Sequence, residues 1–291
     1  MHMFMDGSIT VHTGFEELGQ GVSGVATRIC AQAMGADEEK ITVLRSDTHV
    51  TPPAGALGFS QATVSVGNSI IRAADMMKET LCNKAQAYLE TDEKLTFKGY
   101  AFYDKSGKCV LDWEEFGKYI FAQVDYLCVV ARDRGEKETA IEYGATPIAC
   151  VCDVEVDDET GEVKILQIIH AHDIGKVIHE PSARGQVIGA TVMSQGYYLM
   201  EEFKMRDGYP ETPSLAQYLI PTAMDIPEKN VALFLEGNGA DDCPFGAKGL
   251  AEHPMYTTGA AISGAIYDAI KKPMLHLPVT PEKILKAMNK F

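Results

Sequence analysis

The chain has 291 residues, of which 46% are hydrophobic, and it carries a formal net charge of -15 with a pI near 4.9. This composition excludes intrinsic disorder as a main description and supports either one large domain or two lobes. The acidic balance argues against nonspecific nucleic-acid binding, in which Lys and Arg neutralise phosphates, and against an anionic membrane surface. No apolar run approaches the ~20 residues that span a bilayer, so we expect no membrane contact.

The cysteines favour a reduced, cytoplasmic protein, because their number, seven, is odd and the chain is long with no visible secretory leader. Cys150 and Cys152 share one face of a strand, but the sequence places no further ligand pair near them. We therefore expect no structural metal there. His170 and His172 also alternate on one strand face, and polar packing is the favoured interpretation.

The first half of the chain predicts short strands and two long helices. "FMDGSITVHTG" predicts a hairpin that turns at "DG". The apolar spacing in "GVSGVATRICAQAM" predicts a helix with Gly35 as its C-terminal cap, followed by the strand "ITVL". The loop "PPAGALGFSQAT" leads into a helix whose apolar stripe runs from Val66 to Tyr88. Two strands around "DKSGK" and a helix capped by Asp112 in "DWEEF" complete this half.

The charged segment 132–143 is the expected boundary between a first lobe, 1–135, and a second lobe, 136–291. Two strands joined by the polar turn "DDETG" open the second lobe, followed by a helix in "PSARGQVIGATVMSQGYYLMEE" and the strand "VALFLE". A helix over 255–271 and a short helix capped by Thr280 end it. The predicted fold class is α+β, a two-lobed arrangement with mixed sheets packed against helices.

Three glycine-rich turns precede or interrupt helices: "GQGVSG", "GALGFSQAT" and "GAKGLAE". A helix N-terminus offers unpaired N–H groups and a positive dipole end, and glycine lets the backbone approach a ligand, so each turn can hold an anion. Any one of them is explained by a tight turn alone. Together they favour a ligand that carries phosphate, with hydroxyls from Ser60 and Thr63 and a cation from Lys248.

Glu252 is the strongest candidate for a catalytic residue. Its neighbours are leucine, alanine, histidine and proline, so the carboxylate is expected to be poorly solvated, which suits a general base. A carboxylate that interacts with the dipole at a helix start explains the residue equally well. Gln20 and Gln186 sit beside glycines, and a carboxamide can bind the edge of a pterin or nucleobase, although ordinary polar roles are more frequent.

The chain resembles the molybdenum hydroxylase family, which includes xanthine dehydrogenase and aldehyde oxidase. The resemblance lies in "DGSITVHTGFEELGQG", "VCDVEVDDETGEVKILQIIHAHDIGKVIHEPSARGQVIGA", "TPSLAQYLIPTAMDIPE", "CPFGAKGLAEHP" and "LPVTPEKIL". The matching part is the C-terminal half of the molybdopterin-binding subunit. The chain is therefore expected to be a truncated subunit or one member of a split pair, as in nicotinate dehydrogenase-like enzymes.

The resemblance implies a set of cofactor contacts and one general base. Those assigned to the cofactor are Gln20, Gly21, Phe59, Ser60, Gln61, Ala62, Thr63, Gln186, Lys248 and Gly249. Glu252 matches the base. The implied cofactor is molybdopterin, in its cytosine dinucleotide form, with molybdenum. Iron–sulfur clusters and FAD are expected on partner subunits, beside a further subunit that carries the N-terminal half of the molybdopterin-binding part.

The implied function is hydroxylation, with water, of an aldehyde or of a purine-like or nicotinate-like N-heterocycle. Two departures from the family pattern matter. Ala251 replaces the glycine that usually precedes the base, and it would be strained at a positive φ. His179-Glu180-Pro181 replaces an asparagine-proline after "DIG". A noncatalytic scaffold of the same fold therefore stays an alternative, and a nucleotide-binding enzyme without molybdenum is a third interpretation.

Overall fold

The computed structural model describes residues 1–54, 58, 60–122, 124–131 and 145–290. The helices in this part of the chain are α1 (Val22–Met34), α2 (Ala62–Tyr88), α3 (Trp113–Ile120), α4 (Glu180–Leu199), α5 (His253–Ile270) and α6 (Pro281–Ala287). The strands are β1 (His2–Met3), β2 (Ile9–His12), β3 (Ile41–Leu44), β4 (Thr96–Lys98), β5 (Ala101–Tyr103), β6 (Cys109–Asp112), β7 (Leu127–Cys128), β8 (Ile148–Val156), β9 (Val163–Asp173), β10 (Met205–Arg206), β11 (Tyr209–Pro210) and β12 (Lys229–Leu235). Helices combined with mixed sheets confirm the expected α+β class.

The chain forms two compact units. The first comprises Met1–Ala145, Gly175–His179 and Gly239–Gly249, and the second comprises Thr146–Ile174, Glu180–Asn238 and Leu250–Phe291. Two short segments of the later sequence thus belong to the first unit. The boundary expected between residues 135 and 136 lies outside the described residues and stays a prediction.

The first unit contains a four-stranded sheet in the order β3-β2-β1-β7. β1 and β2 form the predicted hairpin, and β2 pairs in parallel with β3 after the chain has passed through α1. A second sheet, β4-β5-β6, is antiparallel and runs directly into α3. The carboxylate of Asp112 accepts a hydrogen bond from the amide of Glu115 at 2.9 Å, which confirms the cap predicted for this helix.

The core of the first unit is built on α2. Its buried residues repeat at intervals of three or four, so they share one helix face. They include Val66, Ile70, Ala73, Met77, Leu81 and Ala85 of the predicted stripe, whereas its last member, Tyr88, is only partly buried. Burial of each large member stabilises the fold by about 1.5–3 kcal/mol. The neighbouring helix α1 packs against α2 through its own buried face, which includes Ile29.

The second unit is built on a three-stranded sheet in the order β12-β9-β8. β9 is antiparallel to β8 and parallel to β12. α5 packs against β8, and α4 packs against β12. The core joins the sheet to α5 and the C-terminal residues through Ile165, Ile168, Ile262, Ile266, Val279 and Ile284. The predicted cap of α6 is confirmed, since the Thr280 hydroxyl accepts from the Lys283 amide.

Several details differ from the sequence prediction. α5 begins at His253, two residues earlier than expected, because the turn before it already has helical backbone. The short strands β4, β7, β10 and β11 were not predicted; each has only two or three residues, too few for an alternating pattern. In the described part of the chain, no helix combines the length and the apolar character needed to cross a membrane.

Candidate functional site

The second glycine-rich turn, "GALGFSQAT", leads directly into the N-terminus of α2. Ser60 has a φ of 58°, in the left-handed region, and it turns the backbone into the helix. Gln61 is the N-cap residue, its side chain makes no capping hydrogen bond, and no acidic residue lies in the first turn, which begins with Ala62 and Thr63. The positive end of this 27-residue helix therefore meets neither a cap from Gln61 nor a carboxylate in its first turn, an arrangement that favours an anion. Phe59 lies outside the described residues.

The third glycine-rich turn approaches the second one at Gly249. A Cβ atom on Gly249 would lie 2.7 Å from the backbone oxygen of Ser60 and 3.2 Å from its Cβ. No side chain fits in that space, so the two backbones can lie side by side only with glycine here. Lys248, which is 8% exposed, places a buried cation in the same turn. Two of the turns predicted to bind a phosphate are thereby brought together.

Packing within the first unit holds the third turn in place. Gly67 of α2 lies under Pro244, since a Cβ on Gly67 would come within 2.6 Å of the proline Cγ. The side-chain amide of Asn68 donates to the backbone oxygen of Asp242 at 2.7 Å. Ala247 forms a β-bridge with Gly175. The turn is therefore anchored on α2 immediately before Lys248.

The first glycine-rich turn is filled by a carboxylate of the chain itself. Glu17 accepts hydrogen bonds from the amides of Gly19, Gly21 and Ser23 at 3.1, 2.8 and 2.9 Å. Burial opposes ionisation of Glu17, but the bonds from Ser23 and Gly21 outweigh it and lower the pKa of this carboxyl. The expectation that this turn offers its amides to an external anion is wrong for the described structure, because Glu17 already supplies the negative charge.

Gln20 also turns its side chain toward its own loop. Its carboxamide nitrogen donates to the backbone oxygen of Glu16 at 2.8 Å, and its carboxamide oxygen accepts from the amide of Leu18 at 2.5 Å. Both ends of the carboxamide are thus engaged locally. A pterin contact through Gln20 would need these two hydrogen bonds to be exchanged for ligand bonds.

Glu252 is the N-cap residue of α5 and is exposed to solvent. The prediction of a poorly solvated carboxylate is therefore wrong for this chain taken by itself. Glu252 is exposed because α5 begins early, at His253. Pro254 is buried, whereas Glu252 lies at the solvent-exposed N-terminus of the helix. Ala251 is not among the described residues with positive φ, so alanine adopts this backbone without left-handed strain.

Gln186 belongs to the second unit, where it lies in the first half of α4 and is partly buried. Gly185 and Gly189 on the same helix are exposed, and a Cβ atom on either would meet nothing within 4 Å. These glycines leave the helix backbone beside Gln186 open to a ligand or to another chain.

A buried polar cluster lies inside the second unit. The hydroxyls of Thr191 and Thr258 donate to the backbone oxygens of Val187 and Pro254 at 2.8 and 2.7 Å. Nε2 of His170 lies 3.2 and 2.9 Å from these two hydroxyl oxygens, within hydrogen-bond distance of both. The polar packing expected for His170 is confirmed.

His172 stacks on His170 with ring centroids 5.2 Å apart and an interplanar angle of 14°. Both rings are fully buried, and neither nitrogen of His172 has a hydrogen-bond partner among the described residues. Burial lowers the pKa of His170 and of His172 to about 4, and the neighbouring His170 and His253 add to the effect on His172. Both imidazoles are neutral near pH 7.

The thiols of Cys150 and Cys152, on the neighbouring strand β8, are also uncharged near pH 7. Burial raises the pKa of Cys150 to about 11 and that of Cys152 to about 12, so both stay protonated. Across residues 1–290, apart from the segments that the structure leaves out, no group of three or more His, Cys, Asp or Glu could hold a metal ion.

Comparison with known families identifies the domain. Residues 1–227 match the family model described as "Molybdopterin cofactor-binding domain". The chain belongs to the molybdopterin cofactor-binding domain family. This match confirms the family resemblance found in the sequence motifs, and it covers both the Gly21 turn and the Ser60 turn.

Curated relatives of this molybdopterin cofactor-binding chain are much longer than the chain itself. The gamma subunit of the 6-hydroxypseudooxynicotine dehydrogenase complex of Paenarthrobacter nicotinovorans is 34% identical over 96% of this chain and 36% of its own length. The xanthine dehydrogenase molybdenum-binding subunit of Escherichia coli O157:H7 is 29% identical over 99% of this chain and 38% of its own length. The chain thus spans little more than a third of these relatives.

Solved structures show the same fold. Quinoline 2-oxidoreductase from Pseudomonas putida 86 matches with a TM-score of 0.83 and 24% identity, over 99% of this chain and 38% of that chain. The reconstituted CO dehydrogenase from Oligotropha carboxidovorans matches with a TM-score of 0.84 and 19% identity, over 99% of this chain and 36% of that chain. These likenesses confirm the α+β fold.

The residues of the first unit fit the phosphate-bearing part of a molybdopterin. The donors are the backbone amides at the start of α2, the nearby hydroxyls of Ser60 and Thr63, and the buried residue Lys248. All of them suit oxyanions, and the space beside Gly249 admits only backbone. The sequence motifs pointed to these groups. They gave no sign of Glu17 as the occupant of the first turn, because its hydrogen bonds depend on how the loop folds.

Proposed function

We propose that this chain is the molybdopterin-binding part of a molybdenum hydroxylase. The reaction is oxidation of an N-heterocycle or an aldehyde, with water as the source of oxygen. The observation that carries the proposal is the approach of Gly249 to Ser60. This contact places two glycine-rich turns side by side at the N-terminus of α2, where Gln61 makes no side-chain cap, in a domain of the molybdopterin cofactor-binding family.

The cofactor phosphates, including those of a cytosine dinucleotide, would be held by the first turn of α2. The backbone amides of Ala62 and Thr63, beside Gln61, would bind the oxygens, and Lys248 would neutralise part of their charge. Gly249 would shape the space around them, and Phe59 is a further proposed contact of the cofactor. In this proposal Gln20 and Gln186 contact the pterin, and Gly21 keeps the first loop close to it.

Glu252 is proposed as the general base. Its carboxylate lies at the open end of α5, where it can accept a proton from the water-derived oxygen as that oxygen is transferred to the substrate carbon. The bound cofactor supplies the two-electron oxidation. Since Glu252 is exposed in this chain, the substrate pocket that excludes bulk water must be completed by other parts of the assembled enzyme.

Activity requires partner chains in this proposal. They comprise the remaining part of the molybdopterin-binding subunit, an iron–sulfur subunit and an FAD subunit, all in the cytoplasm. The names of the relatives support this assignment, since one is a subunit of a dehydrogenase complex and another is the molybdenum-binding subunit of a xanthine dehydrogenase. Xanthine is itself an N-heterocycle, which favours that substrate class.

Glu252→Gln in the assembled enzyme tests the role of the base. The substitution keeps size and hydrogen bonding but removes the proton acceptor. We expect turnover to fall by at least a hundredfold, the usual contribution of a positioned base, while molybdenum and pterin contents stay unchanged. Near-normal turnover would refute the assignment. The matched control is Glu236→Gln, another exposed glutamate of the second unit, which should leave turnover intact.

The scaffold alternative rested on strain at Ala251 and on the missing half. The backbone at Ala251 does not have a positive φ, so that part of its support is gone. Molybdenum and pterin contents of the native complex separate the scaffold from the enzyme.

A further inference from the structure

The β12-β9-β8 sheet of the second unit presents two unlike faces. α4 and α5 pack on one of them, where Ile168, His170 and His172 are fully buried. Side chains on the alternate positions point to the opposite side. On that side Val151 is 60% exposed and Leu233 is 51% exposed. We call the opposite side the open face.

The strand registers define how the open face is arranged. Two of its cross-strand rows are entirely apolar, and the third is polar. The apolar rows are Val151–Ile169–Val231 and Ala149–Ala171–Leu233, and the polar row is Asp153–Gln167–Lys229. Within the polar row the side-chain amide of Gln167 donates to the carboxylate of Asp153. The open face thus has an apolar centre with a polar row along one side, which is the usual anatomy of a protein interface.

The topology of the sheet makes exposure of this face unusual. β9 and β12 form a parallel pair, and parallel strands are normally covered on both faces. A half-covered sheet normally turns polar residues toward water, whereas here Leu235, at the end of β12, adds a further apolar side chain that is 58% exposed. β8 and β12 are both edge strands of this sheet. We therefore expect the open face to be buried against another protein surface.

The comparisons and the charge indicate the class of that partner. Quinoline 2-oxidoreductase matches 99% of this chain with only 38% of its own, so most of its chain is material that this one does not contain. A second copy of this chain would bring another net charge of -15, and the two copies would repel each other.

We propose that the open face is the docking surface for a separate protein chain that carries the rest of the molybdopterin-binding fold. The proposal rests on the proposed function, because it assigns a surface to the partner which that function requires. Its centre is the pair of apolar rows that contain Val151 and Leu233.

The test uses the native complex, purified through a tag on this chain. A photo-crosslinking amino acid replaces Leu233, and a matched one replaces Leu275, which is 79% exposed in the same unit but lies outside the sheet. We expect position 233 to crosslink to a different chain whose sequence carries the remaining part of the fold. A crosslink to a second copy of this chain, or no crosslink from 233 in an intact complex, would overturn the proposal.

Substitution provides a second measurement. Val151→Lys combined with Leu233→Lys should weaken retention of the partner at least tenfold, whereas Leu275→Lys should leave retention unchanged. Lysine is well tolerated on exposed edge strands, and circular dichroism of each variant checks its fold. If the double variant does not fold, the crosslinking result decides.

Molybdenum content, measured on the same complex, keeps the two proposals apart. If the complex contains molybdenum but position 233 gives no crosslink, the docking proposal is wrong and the proposed function stands. The crosslink present without molybdenum supports the docking surface and overturns the proposed function alone.

Discussion

Gly249→Ala is the substitution that acts most directly on the meeting of the two glycine-rich turns. The added Cβ would lie 2.7 Å from the backbone oxygen of Ser60, a distance that real Cβ contacts do not reach, and the opposing atom is backbone that cannot rotate away. Overpacking of this kind costs about 1–3 kcal/mol. For a unit of this size, that corresponds to a fall in melting temperature of about 2–4 °C per kcal/mol. Separation of the turns should also reduce molybdopterin content.

The matched control is Gly264→Ala. Gly264 lies on an exposed part of α5, and a Cβ there would meet nothing within 4 Å. Alanine in a helix is more stable than glycine by about 0.5–1 kcal/mol, so this variant should melt slightly higher and keep its cofactor. The assays are thermal unfolding by circular dichroism and pterin analysis of the purified complex. A Gly249→Ala protein with an unchanged melting temperature and full pterin content would show that the two turns do not need glycine at this position.

Three further predictions concern the folded chain. The free energy of unfolding should fall as the pH is lowered from about 6.5 to about 4, by at most about 3 kcal/mol each for His170 and His172. The reason is that these imidazoles bind protons in the unfolded chain but stay neutral when they are buried. Urea unfolding midpoints that do not change over this pH range would contradict the prediction. Glu17→Gln should cost about 1 kcal/mol and speed amide exchange in its turn. Thr258→Val should cost about 1–3 kcal/mol and exceed Thr257→Val, whose hydroxyl bonds only to helix carbonyls.

The sequence predicted most of the regular structure of this protein. Elements with a strong local pattern, such as the α2 stripe from Val66 to Ala85 and the caps at Asp112 and Thr280, are where the pattern placed them. Their determinants are local, because helix spacing and side-chain caps involve residues only a few positions apart. Parallel pairing of β2 with β3 and of β9 with β12 was not predicted, because it joins strands distant in sequence.

The candidate site was predicted in part. The motifs indicated Ser60 and Gly249 as members of binding turns, but their contact depends on how Pro244 packs on α2, and no local pattern encodes that. Glu252 was expected to be poorly solvated because its sequence neighbours are apolar. Solvation follows from position in space, and the start of α5 leaves the carboxylate exposed. Glu17 was missed for the same reason.

The molybdenum and pterin contents of the native complex, purified through a tag on this chain, decide whether the domain holds the cofactor. We expect about one molybdenum and one pterin per copy of the chain, with the pterin lost in parallel with the metal in the Gly249→Ala variant. A complex that contains its partner chains but neither molybdenum nor pterin would show that this chain is a scaffold of the same fold and not a cofactor-binding subunit.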